Sequence, residues 1–440
     1  MMKFPKTVGL VSLGCSKNRV DSEILLGMLR EKGVEAVADP ADAELIVVNT
    51  CGFIGPAKEE SIETIFEMAR YKDSGRCLLL FVTGCLTQRY PDELKAEMPE
   101  VDGFLGVNDY PRFIEAIEQA VGGAKPLLAG AKAQFFESPR VLTTPSHSAY
   151  VKISDGCDNR CAYCAIPLIR GGYRSRPYAD ILRECARLSE AGASELTLIA
   201  QDTSRYGSDF EGGKLLLPEL MTEVAALPAV HWLRVLYCYP DTVTERLLDT
   251  VAGNPKIANY LDLPLQHVND EMLRRMNRRG ANADIRRLIE LCRARDIAVR
   301  TTMIVGFPGE TDAQFDELLA FVRQARFARL GAFAYSPEEG TAAFSMKDQV
   351  DEDVKRERLD RLMTLQQGIS LEFNEARVGK TYEVLVGASE GGRCVGRTQL
   401  EAPEVDGSVL FTAGRIPAPG EYVKVKITGA DAYDLEGEAL

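Results

Sequence analysis

Three cysteines stand close together before the middle of the 440-residue chain. Cys157, Cys161 and Cys164 follow the pattern Cys-x3-Cys-x2-Cys, directly after an apolar segment, AYVKIS, that is typical of a β-strand. Three thiolates at this spacing can bind three irons of a cuboidal iron–sulfur cluster and leave the fourth iron without a protein ligand. Zinc is the alternative, but its usual sites need a further Cys or His, and the three histidines of the chain lie elsewhere in the sequence. The triplet therefore favours a cluster.

A second set of three cysteines is spread over the first 85 residues. Cys15, Cys51 and Cys85 follow the apolar runs TVGLVSLG, ELIVVNT and LLLFVTG, each of which predicts a buried parallel strand. Because the carboxyl ends of parallel strands line the ligand crevice of an open α/β sheet, we expect the three thiols to meet there. They predict a second cluster with an open iron, and the alternative is three small core residues.

The remaining five of the eleven cysteines are expected to be buried structural thiols, because they lie within amphipathic helices or beside strands, or too far along a strand to join a cluster. They are Cys77, Cys185, Cys238, Cys292 and Cys394.

The composition is that of a folded, water-soluble protein. The chain is 45% hydrophobic and 27% charged, and no stretch approaches the roughly 18 apolar residues that a membrane span needs. The first residues lack the apolar core of a signal peptide, so we expect a cytoplasmic protein with reduced thiols. A net charge of −13 argues against binding of nucleic acid in bulk and is compatible with a basic protein partner.

The elements that must position the cysteines fall into three predicted domains of an α/β protein. Residues 1–140 alternate apolar runs with helical segments, which predicts a parallel, flavodoxin-like sheet. Residues 141–375 carry six further strand candidates and a charged connector helix, which predict a partial (β/α)6 TIM-like barrel with its chemistry at the carboxyl ends of the strands. Residues 376–440 contain short alternating strands that predict a small antiparallel, OB-like β-barrel.

The central triplet, with Tyr163 just before its last cysteine, resembles the signature of the radical SAM superfamily, whose architecture is a partial (β/α) barrel. The resemblance implies a 4Fe-4S cluster on these cysteines, with S-adenosylmethionine (SAM) bound to the fourth iron. Reduction of the cluster then splits SAM and releases a 5′-deoxyadenosyl radical that abstracts hydrogen.

Within this resemblance, strand position assigns further cofactor contacts. The second barrel strand ends at AQD, where the superfamily contacts the amino group of SAM, and GFPGE follows the strand that flanks adenine. The fourth strand ends at Gln266 and His267, which are expected to face the substrate side. Each position has an alternative as ordinary turn or loop polarity. The predicted cofactor-binding residues are Tyr163, Gln201, Asp202, Gln266, Gly306 and Glu310.

The whole chain resembles the methylthiotransferases, a radical SAM family with a three-cysteine N-terminal domain and a C-terminal TRAM barrel. The matching motifs are SLGCSKNRVDSE, VNTCGFI, GCLTQRYPDEL and SDGCDNRCAYCAIPLIRG. The resemblance implies that Cys15, Cys51 and Cys85 hold an auxiliary 4Fe-4S cluster that carries or delivers sulfur. One SAM would donate the methyl group and a second would generate the radical, so that all six cysteines are predicted to be catalytic and metal-binding.

The family contains a branch that modifies adenosine in tRNA (MiaB-like) and a branch that modifies an aspartate of ribosomal protein S12 (RimO-type). Residues 376–440 hold seven Lys and Arg against ten Asp and Glu, a net charge of −3, whereas an RNA-binding barrel should be basic. Three of these acids, Glu401, Glu404 and Asp406, lie in LEAPEVDG, which resembles the RimO-type barrel, as LPLQHVND and LIAQDTSRYG resemble other RimO-type segments.

The predicted reaction is therefore methylthiolation of the β-carbon of an aspartate in S12, a basic protein that the acidic TRAM barrel would complement. An electron-donor protein is an implied partner, whereas neither membrane binding nor direct nucleic-acid binding is expected.

Two other functions stay open on sequence alone. A tRNA methylthiotransferase could use Arg274, Arg275, Arg278 and Arg279, although arginines so close together on a helix more often form a solvated face. A two-cluster electron carrier or sensor without turnover would account for the cysteines, but it leaves the central barrel and the terminal module without a role.

Overall fold

We describe a computed structural model of the chain, which covers residues 2–132, 135 and 138–440. The chain divides into two compact units. Unit 1 comprises Met1–Thr143, Asp155–Arg174 and Ser336–Phe344, and unit 2 comprises Thr144–Ser154, Ser175–Tyr335 and Ser345–Leu440. The loop with Cys157, Cys161 and Cys164 therefore belongs to the same unit as the three N-terminal cysteines.

The predicted fold class is confirmed in each of its parts: a parallel α/β sheet, a run of parallel β/α strands and a closed five-stranded β-barrel. The division into domains at residues 140 and 375 stays a prediction. The region before its first boundary includes residues 133, 134, 136 and 137, which lie outside the described ranges.

Unit 1 contains a six-stranded parallel sheet in the order β2-β1-β3-β4-β5-β6. Its strands are β1 (Thr7–Ser12), β2 (Glu35–Ala36), β3 (Leu45–Thr50), β4 (Leu79–Gly84), β5 (Gly103–Gly106) and β6 (Leu127–Leu128). The strands expected from the apolar runs before Cys15, Cys51 and Cys85 are present as β1, β3 and β4, and β2 and β6 are two-residue edge strands that the sequence did not indicate. The residues of β3 and β4 are buried along their whole length, as expected for parallel strands with both faces covered.

Two apolar layers cover the faces of this sheet. Val47 and Phe81 belong to the layer on one side, and Val48 and Val82 belong to the layer on the other, because successive side chains of a strand point to opposite faces. The helices of unit 1 are α1 (Ser16–Glu31), α2 (Gly55–Ala69), α3 (Tyr71–Ser74), α4 (Cys85–Arg89), α5 (Pro91–Glu97), α6 (Phe113–Val121) and α7 (Ile166–Arg170). Residues of α1 and α6 lie in the first layer, and residues of α2 and α5 lie in the second.

The parallel strands of unit 2 follow one another in sequence order. They are β7 (Ser148–Lys152), β10 (Glu195–Ile199), β11 (Trp232–Val235), β12 (Tyr260–Gln266), β13 (Ala298–Val305) and β14 (Arg329–Ala334). Strands β8 (Ser154–Asp155) and β9 (Arg174–Ser175) form a separate two-stranded sheet. Strands β7, β10 and β11 form one parallel sheet and β12, β13 and β14 form another, with a bridge between Leu233 and Ile257 at their junction. The six predicted barrel strands are therefore confirmed.

The helices of unit 2 alternate with these strands. They are α8 (Tyr178–Glu190), α9 (Leu217–Ala226), α10 (Glu245–Gly253), α11 (Asp270–Arg275), α12 (Asn282–Arg293), α13 (Asp312–Ala325) and α14 (Glu352–Glu375). A capping box starts α13: Gln314 N–H donates to Thr311 Oγ1 at 3.3 Å, and Thr311 N–H donates to Gln314 Oε1 at 2.9 Å. Among the described residues, no helix combines the length and apolar character needed to cross a membrane.

The end of the chain forms a closed barrel in the order β15-β16-β17-β19-β18. The strands are β15 (Thr381–Glu390), β16 (Arg393–Arg397), β17 (Val409–Thr412), β18 (Tyr422–Ala430) and β19 (Leu435–Ala439). Four of the five pairings are antiparallel as predicted, and β17 pairs with β19 in parallel. The sequence did not indicate β19, because LEGEA carries little of the apolar alternation that marks a strand.

Two buried glutamates join this terminal barrel to the parallel strands of unit 2. Glu195, at the start of β10, accepts a hydrogen bond at 2.6 Å from Arg397 Nη2. Glu401 accepts a hydrogen bond at 3.1 Å from Arg329 Nη2 and pairs with Arg377. Burial alone would raise the pKa of Glu401, but Arg377 and Arg329 lower it to about 2. Both carboxylates are therefore charged inside the protein at neutral pH.

The acidic segment LEAPEVDG thus contributes less surface charge than its sequence indicates. Glu401 is 1% exposed. Asp406 accepts a hydrogen bond at 2.6 Å from the Tyr260 hydroxyl, pairs with Arg300 at 3.5 Å and has a buried side chain. Glu404 alone of the three predicted acids is exposed.

The net charge of the terminal barrel surface nevertheless keeps its sign. Arg377 and Arg397 are largely buried, as are Glu401 and Asp406. Without these four residues, segment 376–440 retains five basic and eight acidic side chains, a net charge of −3. The predicted acidity of this barrel therefore holds, although other residues carry it.

Replacing Glu401 by Gln is expected to lower the free energy of unfolding at pH 7 by about 3–5 kcal/mol, because two buried guanidinium groups lose their counter-charge. The folded-state pKa is about 2, whereas an unfolded glutamate titrates near 4.3. The carboxylate contribution is therefore present above about pH 4.3 and is lost as the pH falls towards 2. Urea unfolding should show a smaller difference between the native chain and the variant at pH 3 than at pH 7.

The matched control is Glu438→Gln on the exposed face of β19, for which we expect a change within about 0.5 kcal/mol. An equal loss of unfolding free energy in Glu401→Gln and Glu438→Gln would contradict the assignment of the buried ion pair.

Candidate functional site

Cys51 and Cys85 directly follow two neighbouring strands of unit 1. Strand β3 ends at Thr50 and β4 ends at Gly84, and these two residues are partners in the parallel register. Because neighbouring strands lie about 4.8 Å apart, the two cysteines lie side by side at the carboxyl edge of the sheet. The structure therefore places these two positions next to each other, as the sequence predicts.

Cys15 reaches the same place from the other side of β3. It follows β1 after a short turn and stands at the N-cap of α1. A Cβ atom on Gly14 would lie 3.0 Å from Cys51 Cβ and 3.2 Å from its Sγ, so the turn before Cys15 packs directly against Cys51. Strand order reverses between β1 and β3, which is the switch point where sheets of this order bind ligands.

The three thiols share one electrostatic environment. Burial raises the pKa of Cys51 to about 12, with further contributions from Cys85 and Cys15. Burial likewise raises the pKa of Cys85, against the lowering effect of Arg170. Desolvation would also raise the pKa of Cys15, but Lys17, Arg170 and backbone N–H groups of α1 lower it below its ordinary value. A helix N-terminus and two cations thus favour thiolate at Cys15.

Arg170, the last residue of α7, contacts both cysteine regions. Its Nη2 lies 2.8 Å from Asn18 Oδ1, 2.8 Å from Asp21 Oδ2 and 3.7 Å from Cys85 Sγ. Its Nη1 lies 3.2 Å from Asp155 Oδ2, two residues before Cys157 in the chain. Arg170 lies within the motif SDGCDNRCAYCAIPLIRG, but no role was predicted for it from the sequence. The available signal was a charged residue in the apolar run AIPLIRGG.

The guanidinium of Arg170 is a fixed positive charge. Burial would lower the pKa of Arg170, but Asp155 and Asp21 raise it well above its usual value. The side chain is 2% exposed, so water does not screen it from its neighbours.

The loop with the central cysteines is held by its own backbone. Cys157 N–H donates to Gly171 O at 3.1 Å, and Cys164 N–H donates to Cys161 O at 3.0 Å. The three cysteines and Tyr163 are half-buried. Ala343 N–H, from the segment Ser336–Phe344, donates to a carbonyl of this loop at 2.8 Å. The structure thus brings these three cysteines together in a compact loop within unit 1.

The segment Ser336–Phe344 is anchored in unit 1 by ion pairs. Glu338 Oε2 lies 2.7 Å from Arg89 Nη1 and 2.9 Å from Lys58 Nζ, and the side chains of Glu338 and Arg89 are buried. Burial would raise the pKa of Glu338, but Lys58 and Arg89 lower it. These contacts hold the segment that bonds to the central cysteine loop.

Each cysteine set offers three thiols as ligands. Among the described residues, no group of three or more His, Cys, Asp and Glu side chains is placed to hold a metal ion. The thiolates of a cuboidal cluster bind separate irons, whereas the ligands of zinc converge on one ion. Three adjacent thiols with a buried cation beside them suit a thiolate-ligated cluster, because the cation offsets the negative charge of the ligands.

Two of the predicted cofactor-binding residues lie in unit 2 with unsatisfied amide atoms. Gln201, two residues after the end of β10, has both of its amide atoms buried without a hydrogen-bond partner among the described residues. Gln266, at the end of β12, has a buried Oε1 in the same condition and a φ of +72°. Buried polar atoms are rarely left unpaired, so a bound ligand or an ordered water would satisfy these amides. Asp202 is fully buried and accepts a hydrogen bond from Ser204 Oγ at 2.9 Å.

The prediction for His267 needs correction. The side chains of His267 and Glu310 are fully buried, so His267 does not present its ring to a substrate. Its Nδ1 accepts two backbone N–H groups, which leaves Nε2 to donate to Glu310 Oε1 at 3.1 Å. The other oxygen of Glu310 accepts from Gly306 N–H at 2.6 Å and from Arg358 Nη1 at 2.7 Å. Glu310 therefore holds the GFPGE turn in shape, and cofactor contact by Gly306 and Glu310 stays a prediction.

Gly84 is required by the turn that presents Cys85. Its φ is +100°, and a Cβ atom there would lie 2.4 Å from Asn49 Oδ1 and 2.5 Å from Thr50 O. We expect Gly84→Ala to lower the free energy of unfolding by more than about 1 kcal/mol, the usual size of backbone strain, and to expose Cys85 to alkylation. Urea unfolding and mass spectrometry of the alkylated chain measure the two effects.

Gly33→Ala provides the control, because Gly33 has a φ of +76° and nothing within 4 Å of a Cβ atom. If both variants lost the same stability and neither exposed Cys85, close packing at the cysteine site would not explain the need for Gly84.

Three family descriptions match the chain. Residues 7–106 match the uncharacterized protein family UPF0004, residues 151–322 match the radical SAM superfamily, and residues 378–440 match the TRAM domain. Among solved structures, the chain is similar to the radical S-adenosylmethionine methyltransferase TsrM from Kitasatospora setae with tryptophan substrate and a SAM analog bound. The TM-score is 0.58 at 14% identity over 83% of this chain and 89% of that chain, so this likeness concerns the fold.

Relatives in sequence are much closer. The chain is 50% identical over 438 residues to the ribosomal protein uS12 methylthiotransferase RimO of Heliobacterium modesticaldum. The aligned region covers 98% of this chain and 95% of the relative. It is 49% identical over 440 residues to the protein of the same name from Pelotomaculum thermopropionicum, at 98% and 99% coverage. The resemblance to radical SAM methylthiotransferases is thereby confirmed, and the chain belongs to the RimO family of ribosomal protein uS12 methylthiotransferases.

Proposed function

We propose that this protein methylthiolates the β-carbon of an aspartate in ribosomal protein uS12, using two 4Fe-4S clusters and two SAM molecules per turnover. The observation that carries the proposal is the presence of two three-cysteine sites in one compact unit, in a chain whose relatives are named uS12 methylthiotransferases.

The six cysteines divide into two ligand sets. Cys157, Cys161 and Cys164 would hold the cluster that binds SAM, and Cys15, Cys51 and Cys85 would hold the auxiliary cluster. When bound, these cofactors supply a carbon radical and the methylthio sulfur. The protein supplies their placement: parallel strand ends fix the N-terminal set, and a backbone-bonded loop fixes the central set.

The reaction needs such placement because an aliphatic C–H bond is not activated for acid–base chemistry. The substrate carbon, once it has lost hydrogen, must meet the sulfur before water or another partner does, and orientation in one site makes that step effectively intramolecular. In unit 1, Arg170 and the anchored segment Ser336–Phe344 keep the central cysteine loop against the domain that carries the other set.

Several residues are proposed to bind SAM. The unsatisfied amides of Gln201 and Gln266 offer donors and acceptors for its polar groups. Tyr163, Asp202 and Gly306 keep the contacts expected from the superfamily resemblance, and Glu310 acts by holding the turn at Gly306.

The basic uS12 is proposed to be steered by the acidic terminal barrel. The partners of the enzyme would also include an electron-donor protein, because the chemistry consumes electrons. We place the enzyme in the cytoplasm with the ribosome.

Two of the four arginines that could have favoured tRNA binding contact other residues of the protein. Arg278 stacks 4.2 Å from the Tyr239 ring centroid and donates to Pro264 O at 2.6 Å, and Arg275 pairs with Asp348 at 2.6 Å.

A substitution at Gln201 separates cofactor binding from folding. Gln201→Leu should weaken SAM binding about tenfold, the effect of one lost hydrogen bond or two, without lowering the free energy of unfolding, since it removes a buried unpaired amide. Calorimetric titration of the reconstituted protein with SAM measures the first quantity, and urea unfolding measures the second. Gln349→Leu, at an exposed position, is the control; an unchanged affinity at Gln201 would speak against its contact with SAM.

The proposed reaction is tested on uS12 itself. Cells that contain the protein should yield uS12 heavier by one methylthio group in place of hydrogen on an aspartate, whereas cells without it, or with Cys157→Ala, should yield the unmodified mass. Intact-protein and peptide mass spectrometry give the answer. An unchanged uS12 mass together with a protein-dependent methylthioadenosine in digested tRNA would replace this function by the tRNA reaction.

A further inference from the structure

Both terminal amino groups of Arg170 have polar partners. Asn18 and Asp21 from α1 and Cys85 from the end of β4 meet one amino group, and Asp155 meets the other. The residue thus connects three segments: the first helix, the turn that carries a proposed ligand of the auxiliary cluster, and the approach to the central cysteine loop.

Arg170 is a buried cation beside Cys85, although two carboxylates already pair with it. The side chains of Asp21 and Arg170 are 1% and 2% exposed and form a buried pair, while Asp155 remains partly exposed at 15%. Cys85 is buried, and a thiolate there would add negative charge to the same interior, where a charge without a counter-charge is costly. Nη2 of Arg170 lies 3.7 Å from Cys85 Sγ, within reach for an N–H to sulfur contact.

Arginine suits this position better than lysine would. Its planar fork can hold an amide oxygen, two carboxylates and a sulfur at once, while an ammonium group is a single point charge with three donors. Hydrogen bonds to cluster sulfurs and nearby charge are among the features that set cluster potentials in proteins.

We propose that Arg170 is a positioning residue of the auxiliary cluster, which fixes Cys85 and supplies the buried positive charge beside its sulfur. The inference rests on the proposed function, because it takes Cys15, Cys51 and Cys85 as cluster ligands. It assigns a role to a residue outside the cysteine motifs, and it predicts that the two clusters respond differently to the same substitution.

The experiment uses two full-length parents, each with one cysteine set. The auxiliary-only parent carries Ala at 157, 161 and 164, and the central-only parent carries Ala at 15, 51 and 85. Both are reconstituted without oxygen, and iron and sulfide per chain are measured. If the auxiliary-only parent holds no iron, the proposed function itself fails, and this inference fails with it.

Arg170→Gln is then introduced into each parent. In the auxiliary-only parent we expect cluster affinity, followed by loss of iron to a chelator, to fall roughly 10- to 100-fold, the usual effect of removing an outer partner of a metal ligand. The reduction potential should become more negative, because a cation beside the sulfur stabilises the reduced cluster. In the central-only parent the chelator resistance and the potential should change less.

Two further variants keep the result interpretable if Arg170→Gln does not fold. Arg170→Lys retains the charge and loses the fork, so the potential should stay near that of the parent while iron is lost faster. The double variant Asp21→Asn with Arg170→Gln removes both members of the buried pair, so no unpaired carboxylate remains there, and it should reproduce the negative shift in potential.

Arg140→Gln is the matched control. Arg140 is also a buried, carboxylate-paired arginine of unit 1, at 2.5 Å from Glu23. It should leave the auxiliary potential unchanged. Equal losses of iron in the two parents, an unchanged potential for Arg170→Gln in the auxiliary-only parent, or the same shift with Arg140→Gln would overturn the proposal and make Arg170 a general structural ion pair.

Discussion

A buried guanidinium joins the two cysteine regions of this protein. Arg170 binds Asp21 on the first helix and Asp155 before the central loop, so the loop with three cysteines folds with the N-terminal sheet rather than with unit 2. Breaking a buried ion pair of this kind leaves an unpaired charge and costs several kcal/mol. The geometry on which a two-cluster reaction depends is thus secured by the same interactions that stabilise unit 1.

Much of the N-terminal site follows from strand register, and for that reason it was predictable. Apolar runs fix which segments are parallel strands, and parallel strands end at one edge of a sheet, so cysteines placed after three runs meet. Register then sets the detail, since Thr50 and Gly84 are partners and the next residue on each strand is Cys51 or Cys85. The short strand β19 and the edge strands β2 and β6 were missed because pairing, rather than apolar pattern, defines them.

Contacts between side chains that are far apart in the sequence could not be predicted from the sequence. Arg170 carries no spacing signal that links it to Asp21, which is remote in the chain. In the same way, Glu401 counts as surface acid in a sequence, and its burial depends on Arg329 and Arg377 arriving from other elements. The net charge of the terminal barrel stayed at −3 because buried acids and buried bases cancelled. A charge count is therefore more robust than the assignment of the residues that carry it.

The position of the terminal barrel limits its role in substrate binding. Within unit 2 it contacts the parallel strands at their first residues: Arg397 binds Glu195 of β10, and Glu401 binds Arg329 of β14. Gln201 and Gln266 lie at the opposite, carboxyl ends, and a strand of five to eight residues spans roughly 17–26 Å. A target aspartate held near the carboxyl ends is therefore a strand length away from the acidic barrel. Under the proposed function, the barrel would attract the basic substrate through its field, and the residues that orient the target aspartate would lie at the other end of the strands.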